Sequence, residues 1–125
     1  MSVQCVLIID DTPMVISALS QMLLPIYKVK VACGGEDGIK VALRHDVDLI
    51  LLDINMPGLT GFDVFGKLRE SEKARDIPIV FITGSDDVCD RDFAFSLGAV
   101  DFIQKPFTKE DVIHSVKRHI KRVKK

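Results

Sequence analysis

Short apolar runs and amphipathic stretches take turns along the chain. Three runs, at 5–9, 49–52 and 79–82, are rich in Val, Ile and Leu and are too short for helices. Uninterrupted apolar runs of this length are typical of parallel strands that helices cover on both faces. Two further segments, at 27–31 and 100–104, alternate apolar and polar residues. This alternation predicts strands at the two edges of a sheet.

The stretches between these strands carry apolar residues three and four positions apart, which is the spacing of one helix face. Each strand is therefore followed by a predicted helix. The first three have apolar positions at Val15, Leu19, Met22 and Leu23, at Ile39, Ala42 and Leu43, and at Phe62, Phe65 and Leu68. The last helix has the clearest start, because Thr108 and Asp111 form a capping-box pattern ahead of an apolar face.

Strand and helix alternating five times in 125 residues predict an α/β fold with a doubly wound, five-stranded parallel sheet. Placing the three apolar strands at the centre and the two alternating strands at the edges leads to the strand order 2-1-3-4-5. In this order the path of the chain across the sheet reverses between strands 1 and 3. Ligands in such sheets bind beyond the carboxyl ends of the strands at that reversal.

The composition is that of one ordinary globular domain, with 47% hydrophobic and 28% charged residues. A net charge of -1 argues against direct nucleic-acid binding. No apolar run approaches a membrane span, and the start of the chain lacks the basic segment of a leader. Cys5, Cys33 and Cys89 follow no metal-ligand spacing, so we expect buried thiols in a reducing compartment. We therefore predict a single cytoplasmic domain, 1–125, that contacts no membrane.

The charge is unevenly distributed along the chain. Residues 112–125 contain six basic residues and no acidic one, so the remainder carries an acidic excess. Basic residues at the end of the last helix interact favourably with its dipole, and they are equally compatible with the start of a linker. Any acidic site must lie before this tail.

Polar residues follow four of the five predicted strands directly. Asp10 and Asp11 follow strand 1, Asp53 follows strand 3, Thr83 ends strand 4, and Lys105 follows strand 5. The carboxyl ends of parallel strands meet at one edge of a sheet, so these side chains should gather in one pocket. Each alone has an ordinary explanation as a helix cap, a loop residue or a surface charge. Their joint placement makes coincidence a poor account.

Three carboxylates packed together need a counter-charge or a proton. Mg²⁺ is the simplest counter-charge, because the available ligands are oxygens and because it commonly joins one or two carboxylates to a phosphate. Lys105 then supplies a positive charge for a phosphate oxygen, and Thr83 supplies a hydroxyl donor. The pattern predicts a phosphoryl site built around a carboxylate nucleophile.

Four segments resemble the receiver domains of two-component response regulators. They are IIDD at 8–11, LILLDINMPGLTG at 49–61, IVFITG at 79–84 and LGAVDFIQKPF at 97–107. The Asp-x-x-Met-Pro-x-x-x-Gly pattern inside the second segment, followed at the family's distance by a Lys-Pro pair, is the most specific part. The resemblance spans nearly the whole chain, and it implies the flavodoxin-like fold that the strand pattern predicts.

The resemblance also implies roles for individual residues. Asp53 would accept a phosphoryl group from a phosphohistidine on a sensor histidine kinase or phosphotransfer protein. Asp11 and Asp53 would bind Mg²⁺ directly, Asp10 mostly through water, and Asn55 through its backbone carbonyl. Lys105 would pair with the phosphate, and its bond to Pro106 is expected to be cis.

A conformational switch is the signal that the family resemblance implies. Thr83 would move towards the phosphate, and Phe102, at the family's aromatic switch position, would turn inward behind it. The added charge would bias a two-state arrangement of helix 4, strand 5 and helix 5. This chain departs from many relatives in two places: Phe102 has no hydroxyl, and Ser85 lacks the acid or amide that helps to place an attacking water.

Helix 4 is the least regular of the predicted helices. Its apolar residues spread around most of the circumference, at Val88, Cys89, Phe93, Phe95 and Leu97. We expect some of them to face solvent. Phe93 is a candidate for a partner-docking patch, and packing on a neighbouring helix is an equally good explanation of the same residue.

Two other classes of protein fit parts of the pattern. A haloacid-dehalogenase-like phosphatase also has an Asp nucleophile after an apolar strand, but its second acid would stand at Asn55, and the chain lacks room for a substrate cap. A flavin-binding electron carrier needs a Ser/Thr/Gly-rich loop after strand 1, where this chain has Asp-Asp-Thr-Pro. We favour a phospho-acceptor signalling domain, not an enzyme, that controls an output protein or a C-terminal effector domain. Such a domain would be a monomer or a weak, phosphorylation-dependent dimer.

Overall fold

Strands and helices alternate strictly in the computed structural model, which describes residues 3–84 and 88–120 apart from the side chains of Val88 and Cys89. The elements are β1 Cys5–Ile9, α1 Pro13–Leu23, β2 Lys28–Ala32, α2 Gly35–Arg44, β3 Leu49–Leu52, α3 Gly61–Arg69, β4 Ile79–Thr83, α4 Val88–Leu97, β5 Asp101–Gln104 and α5 Lys109–His119. Ser85 and the last five residues of the basic tail lie outside the described residues. The predicted alternation of strands and helices is confirmed.

All five strands are parallel and follow the order β2-β1-β3-β4-β5. The three apolar runs are the central strands, and they are buried along their whole length. The two alternating segments are the edge strands, with exposed residues such as Lys28 and Gln104. The predicted strand order and the assignment of the edges are both confirmed.

Successive residues of the central strands point into two separate cores, because side chains alternate between the faces of a sheet. One core joins the strands to α2, α3 and α4, through Leu7, Ile9, Ile50, Leu52, Phe81, Ala42, Val64, Phe65, Leu68 and Ala94. The other joins them to α1 and α5, through Val6, Ile8, Leu49, Leu51, Val80, Ile82, Leu19, Leu23, Val112 and Val116. Each fully buried Leu, Ile or Phe contributes roughly 1.5–3 kcal/mol relative to an exposed one. Helices therefore cover both faces, as predicted.

Helices α3 and α5 begin at capping boxes. The backbone N–H of Asp111 donates to Thr108 Oγ1 at 3.0 Å, and the N–H of Thr108 donates to Asp111 Oδ2 at 3.2 Å, which confirms the predicted start of α5. Thr60 and Asp63 form the same pair of hydrogen bonds at the start of α3, at 3.2 and 3.0 Å. Each cap satisfies N–H groups that the first turn of a helix leaves free. Together they fix where two helices leave the carboxyl ends of the strands.

Two expectations about burial change. Cys5 is buried as expected, but Cys33, which follows the edge strand β2, is exposed. Leu43 is 40% exposed because α2 packs through small residues. A Cβ at Gly38 would lie only 2.5 Å from a side-chain carbon of Ile9, so the helix sits directly on β1.

Helix α4 is as irregular as its sequence suggests. Ala94 is fully buried, whereas Phe93, Phe95 and Leu97 are 49%, 42% and 38% exposed. The expectation that some of its apolar residues face solvent is confirmed. Separately, none of the helices within the described residues is long and apolar enough to cross a membrane.

Candidate functional site

The acidic residues that follow the neighbouring strands β1 and β3 come together at the carboxyl edge of the sheet. Asp10 follows β1 and Asp53 follows β3, and the two strands are held in register there by the backbone N–H of Asp53, which donates to the carbonyl of Ile9 at 3.0 Å. One carboxylate oxygen from each of Asp10, Asp11 and Asp53 lies within 4.8 Å of the others. Asp10 and Asp53 are only 2% and 4% exposed. The three carboxylates therefore form one acidic pocket.

Asp10 belongs both to this pocket and to the start of α1. Its Oδ1 accepts a hydrogen bond from the backbone N–H of Thr12 at 2.9 Å, just before the helix begins. Its Oδ2 lies 3.4 Å from Lys105 Nζ. Asp10 thus uses one carboxylate oxygen to accept from the backbone at the start of α1 and the other to contact Lys105 in the pocket.

Lys105 brings a positive charge into the pocket from the end of β5. Its backbone N–H donates to the carbonyl of Thr83 at 2.8 Å, and its bond to Pro106 is cis. The ammonium lies 3.4 Å from Asp10 Oδ2 and 3.7 Å from Asp53 Oδ1, with the side chain mostly buried. One lysine thus bridges the two buried carboxylates.

The protonation of Asp53 reflects this crowding. Burial raises the pKa of Asp53 from 3.8 to about 6, and the negative charge of Asp10 adds to the rise. Lys105 and a hydrogen bond from the backbone N–H of Asn55 oppose it. Within the described residues, the pocket holds three carboxylates against one lysine, so a further positive charge would stabilise its fully ionised form. Closely spaced oxygen ligands with excess negative charge suit a hard divalent cation.

Asn55 and Thr83 lie at the rim and the wall of the pocket. Thr83 is fully buried at the end of β4. Asn55 is exposed in the loop after β3, and its side-chain amide donates to Thr83 Oγ1 at 3.4 Å. The structure therefore brings Asp10, Asp11, Asp53, Asn55, Thr83 and Lys105 to one place.

The two other aromatic candidates lie outside the pocket. Phe102 is opposite Phe81 in the pairing of β5 with β4, and it packs against the core under α2, α3 and α4. Phe93 lies on α4, where its half-exposed ring meets that of Phe62 edge-on. Phe93 is thus both exposed and packed on a neighbouring helix. Its role in docking a partner stays a prediction.

Gly61 is a site residue whose role the sequence did not reveal. A Cβ there would lie 2.3 Å from the carbonyl oxygen of Asp53 and 2.7 Å from Cα of Ile54. Its backbone N–H donates to the carbonyl of Ile54 at 2.8 Å. The loop after β3 therefore closes tightly behind Asp53, and only glycine fits at this point. Gly61 ends the specific sequence pattern, which was the only signal of its importance.

The fold and this pocket define the class of protein. A doubly wound parallel sheet of flavodoxin-like topology places its polar residues at the point where the strand order reverses, which is where such folds bind ligands. The chain belongs to the response regulator receiver domain family, whose model matches residues 6–117. It is therefore a receiver domain of two-component signal transduction, as the sequence resemblance predicted.

Two curated relatives of this chain are longer than it. The chain is 38% identical over 104 residues to a probable cyclic di-GMP phosphodiesterase of Vibrio cholerae, covering 82% of this chain and 24% of that protein. It is 35% identical over 118 residues to the DNA-binding dual master transcriptional regulator RpaA of Synechocystis, covering 94% of this chain and 49% of the regulator. The chain thus spans about a quarter to a half of these relatives.

A solved structure has nearly the same size and fold. The response regulator protein TrrA of Thermotoga maritima, solved in complex with Mg(2+)-BeF, has a TM-score of 0.82 and 29% sequence identity. The match covers 92% of this chain and 97% of that one. A receiver domain of this length is therefore known as a separate protein chain in a crystal.

Proposed function

We propose that Asp53 accepts a phosphoryl group from a phosphohistidine of a sensor histidine kinase or a phosphotransfer protein. The observation that carries the proposal is the position of its carboxylate, buried beside Asp10 with Oδ1 3.7 Å from Lys105 Nζ. An oxygen of ionised Asp53 forms a bond to phosphorus while the bond from phosphorus to the histidine nitrogen breaks. The product is an acyl phosphate on Asp53 and a free histidine.

Asp10, Asp11 and Asp53, with the backbone carbonyl of Asn55, would hold Mg²⁺. The close approach of the three carboxylates supports this assignment, and TrrA was solved with Mg(2+)-BeF. When bound, the ion neutralises carboxylate charge and the charge of the transferring phosphoryl oxygens. The ion would therefore favour the ionised form of Asp53, which is the form that acts as a nucleophile.

Lys105 and Thr83 would recognise the transferred group. The ammonium of Lys105 already points between Asp10 and Asp53, so it can pair with a phosphoryl oxygen after small movements. The hydroxyl of Thr83 would exchange its contact with the Asn55 amide for a hydrogen bond to the phosphoryl group. Phe102 would turn inward once Thr83 has moved.

This rearrangement would change the surface formed by α4, β5 and α5 and so control an output. The output partner is a separate protein or an effector domain of the same polypeptide, and the longer relatives support an arrangement with further domains. The domain acts in the cytoplasm as a monomer or a weak dimer, and it binds no nucleic acid itself. Its chemistry is directed at its own Asp53 and not at a separate substrate.

Incubation with a small phosphodonor and Mg²⁺, followed by intact mass spectrometry, tests the acceptor. We expect the mass to increase by one phosphoryl group in the unmodified chain and in Asp46→Asn, since Asp46 is a fully exposed carboxylate that precedes β3, at the strand end opposite the pocket. Asp53→Asn should show no increase. An increase that persists in Asp53→Asn would overturn the assignment. Turnover of a phosphate ester would favour a phosphatase instead.

A further inference from the structure

A series of phenylalanine rings leads from the sheet below the acidic pocket to the surface of α4. Phe81 on β4 is fully buried, and its ring centroid lies 5.3 Å from that of Phe62 on α3. The ring of Phe62 lies 4.9 Å from that of Phe93 on α4, with the planes at 81°. Edge-to-face pairs at such distances are favourable aromatic contacts. Phe62 therefore contacts a core ring on one side and a surface ring on the other.

Phe81 is the neighbour of both residues that are proposed to switch. Thr83 lies two positions further along β4, so its side chain points to the same face of the sheet. Phe102 is opposite Phe81 in the strand pairing and packs in the same core. Protein cores are close-packed and contain little free space, so a movement of either side chain displaces its neighbours.

The two ends of this series differ in freedom to move. Phe81 is enclosed, whereas Phe93 is 49% exposed and can change position without opening a cavity. Ala94, the next residue on α4, is fully buried and anchors the helix to the core. A displacement that starts at Phe81 is therefore most easily accommodated at Phe93.

We propose that Phe62 is a positioning residue that transmits the state of the phospho-acceptor pocket to Phe93. The proposal rests on the function proposed above. When Thr83 and Phe102 rearrange, Phe81 shifts against Phe62, and Phe62 changes the position and exposure of Phe93. The side of α4 that faces α3 is then switched in addition to the side that faces β5.

Phe65 provides a matched control, because it contacts the same core ring without leading to Phe93. Its ring stacks on Phe81 at 5.8 Å, with 25° between the planes. On its other side the guanidinium of Arg69 lies 4.4 Å from the ring centroid. Among the described residues, Phe65 has no ring contact with Phe93. A substitution here loosens the core around Phe81 and leaves the contact between Phe62 and Phe93 in place.

A tryptophan at position 93 gives the readout. The chain contains no tryptophan, so Phe93→Trp introduces a single indole at the surface end of the series. Its emission is recorded before and after treatment with a small phosphodonor and Mg²⁺, and intact mass of the same samples gives the phosphorylated fraction. We expect a shift in emission on phosphorylation. Circular dichroism establishes that each variant is folded.

Three further substitutions, each combined with Phe93→Trp, distinguish transmission through Phe62 from a general loosening of the core. In Phe62→Leu, an apolar side chain without a ring, the emission shift per phosphorylated molecule should fall by at least about threefold. In Phe62→Tyr, which restores the ring, the shift should return. In Phe65→Leu it should be retained.

The outcomes distinguish this inference from the proposed function. Full phosphorylation of Phe62→Leu with an undiminished shift overturns the role of Phe62 and leaves the acceptor assignment standing. An equal loss of the shift in Phe65→Leu also overturns it, because loosening of the core then explains both variants. If the Phe93→Trp variant is phosphorylated and its tryptophan emission does not shift, the role of Phe62 is overturned as well. Failure of every variant to gain mass overturns the proposed function, and the role of Phe62 with it.

Discussion

At the scale of single residues, the pocket holds several charged groups in a place that is largely buried from solvent. Asp53 lies 4% exposed among other carboxylates, and the same environment that makes it costly to ionise keeps its oxygen in reach of Lys105. Burying a charge is unfavourable unless it is paired, so the metal-free pocket is a locally destabilised part of the fold. Its energetic effect can be measured directly.

Asp53→Asn should stabilise the metal-free protein at neutral pH. The pKa of Asp53 is about 6 in the folded chain and 3.8 in the reference state, so the folded protein holds the proton more tightly than the unfolded one. The stability that the protonated Asp53 contributes is fully present below pH 3.8 and is lost as the pH rises through about 6. We expect Asn to be more stable by about 1–2 kcal/mol at pH about 8, and this advantage to shrink at pH about 5.

Urea unfolding in the presence of EDTA measures this difference. Asp46→Asn is the control, because its carboxylate is fully exposed, and its stability relative to the parent should not follow this pH dependence. Equal stability of Asp53→Asn and the parent at both pH values would show that the burial of Asp53 carries no energetic penalty.

Gly61→Ala should disturb the pocket through the backbone alone. The new methyl group would lie 2.3 Å from the carbonyl oxygen of Asp53, so the loop has to move. We expect a loss of about 2–4 kcal/mol in the free energy of unfolding, together with loss of phosphoryl acceptance.

Gly66→Ala on the same helix is its matched control. A Cβ at Gly66 meets no atom within 4 Å, and the position is exposed inside α3. Ala favours the helix by about 1 kcal/mol over Gly there, so this variant should gain stability and keep acceptor activity. Tolerance of Ala at both positions would mean that the loop after β3 is not constrained as the structure indicates.

At the scale of elements, single side chains fix how helices meet strands. Arg69 at the end of α3 donates from Nη1 to the backbone carbonyls of Arg75 and Ile77, at 2.6 and 3.1 Å. Its guanidinium also covers the ring of Phe65. One side chain thus ties the helix, the loop that follows it and the entry to β4. Because β4 carries Thr83, this tie helps to position the pocket from the opposite end of the strand.

Arg69→Lys should destabilise the fold even though it keeps the charge. An ammonium lacks the planar group of donors that spans two carbonyls and stacks on an aromatic ring. We expect a loss of about 1–2 kcal/mol in urea unfolding. Arg75→Lys should reduce the free energy of unfolding much less. The Arg75 side chain is exposed, and it is the backbone carbonyl of this residue that accepts from Arg69. Similar losses in both would indicate that the contacts of Arg69 contribute little.

Some elements were predictable from sequence and others were not, for physical reasons. The runs that form β1, β3 and β4 are apolar because helices cover both faces of the sheet there. Their burial could therefore be predicted from their composition. The strand ends that hold Asp53 and Lys105 follow from parallel topology. The exposure of Cys33 and the contact between Phe62 and Phe93 depend on distances between segments far apart in the chain, which local patterns do not encode. The cap at Thr60 had a local signal, Thr-x-x-Asp, that was missed.

At the scale of the whole molecule, the acidic pocket should couple ligand binding to global stability. A ligand that binds only the folded state stabilises it in proportion to the logarithm of its concentration. We expect Mg²⁺ at about one hundred times its dissociation constant to add about 2.7 kcal/mol to the free energy of unfolding. Asp11→Asn should weaken this effect, and Asp46→Asn should not.

Urea titrations over a range of MgCl2 concentrations measure this coupling. Choline chloride at equal ionic strength separates specific binding from general screening of charge. If Mg²⁺ and choline raise the unfolding midpoint equally, the cluster of Asp10, Asp11 and Asp53 does not bind the metal, and the Mg²⁺ assignment has to be abandoned.

The double use of Asp10 has a consequence for observing the intact domain. One oxygen of its carboxylate holds the amide proton of Thr12, and the other faces the pocket. A cation in the pocket would withdraw electron density from the Asp10 carboxylate and so weaken its hydrogen bond with the Thr12 N–H. In a nitrogen-proton correlation spectrum of the isotopically enriched protein, the amide resonance of Thr12 should therefore report occupancy of the pocket without an attached probe, from outside the loop that follows Asp53.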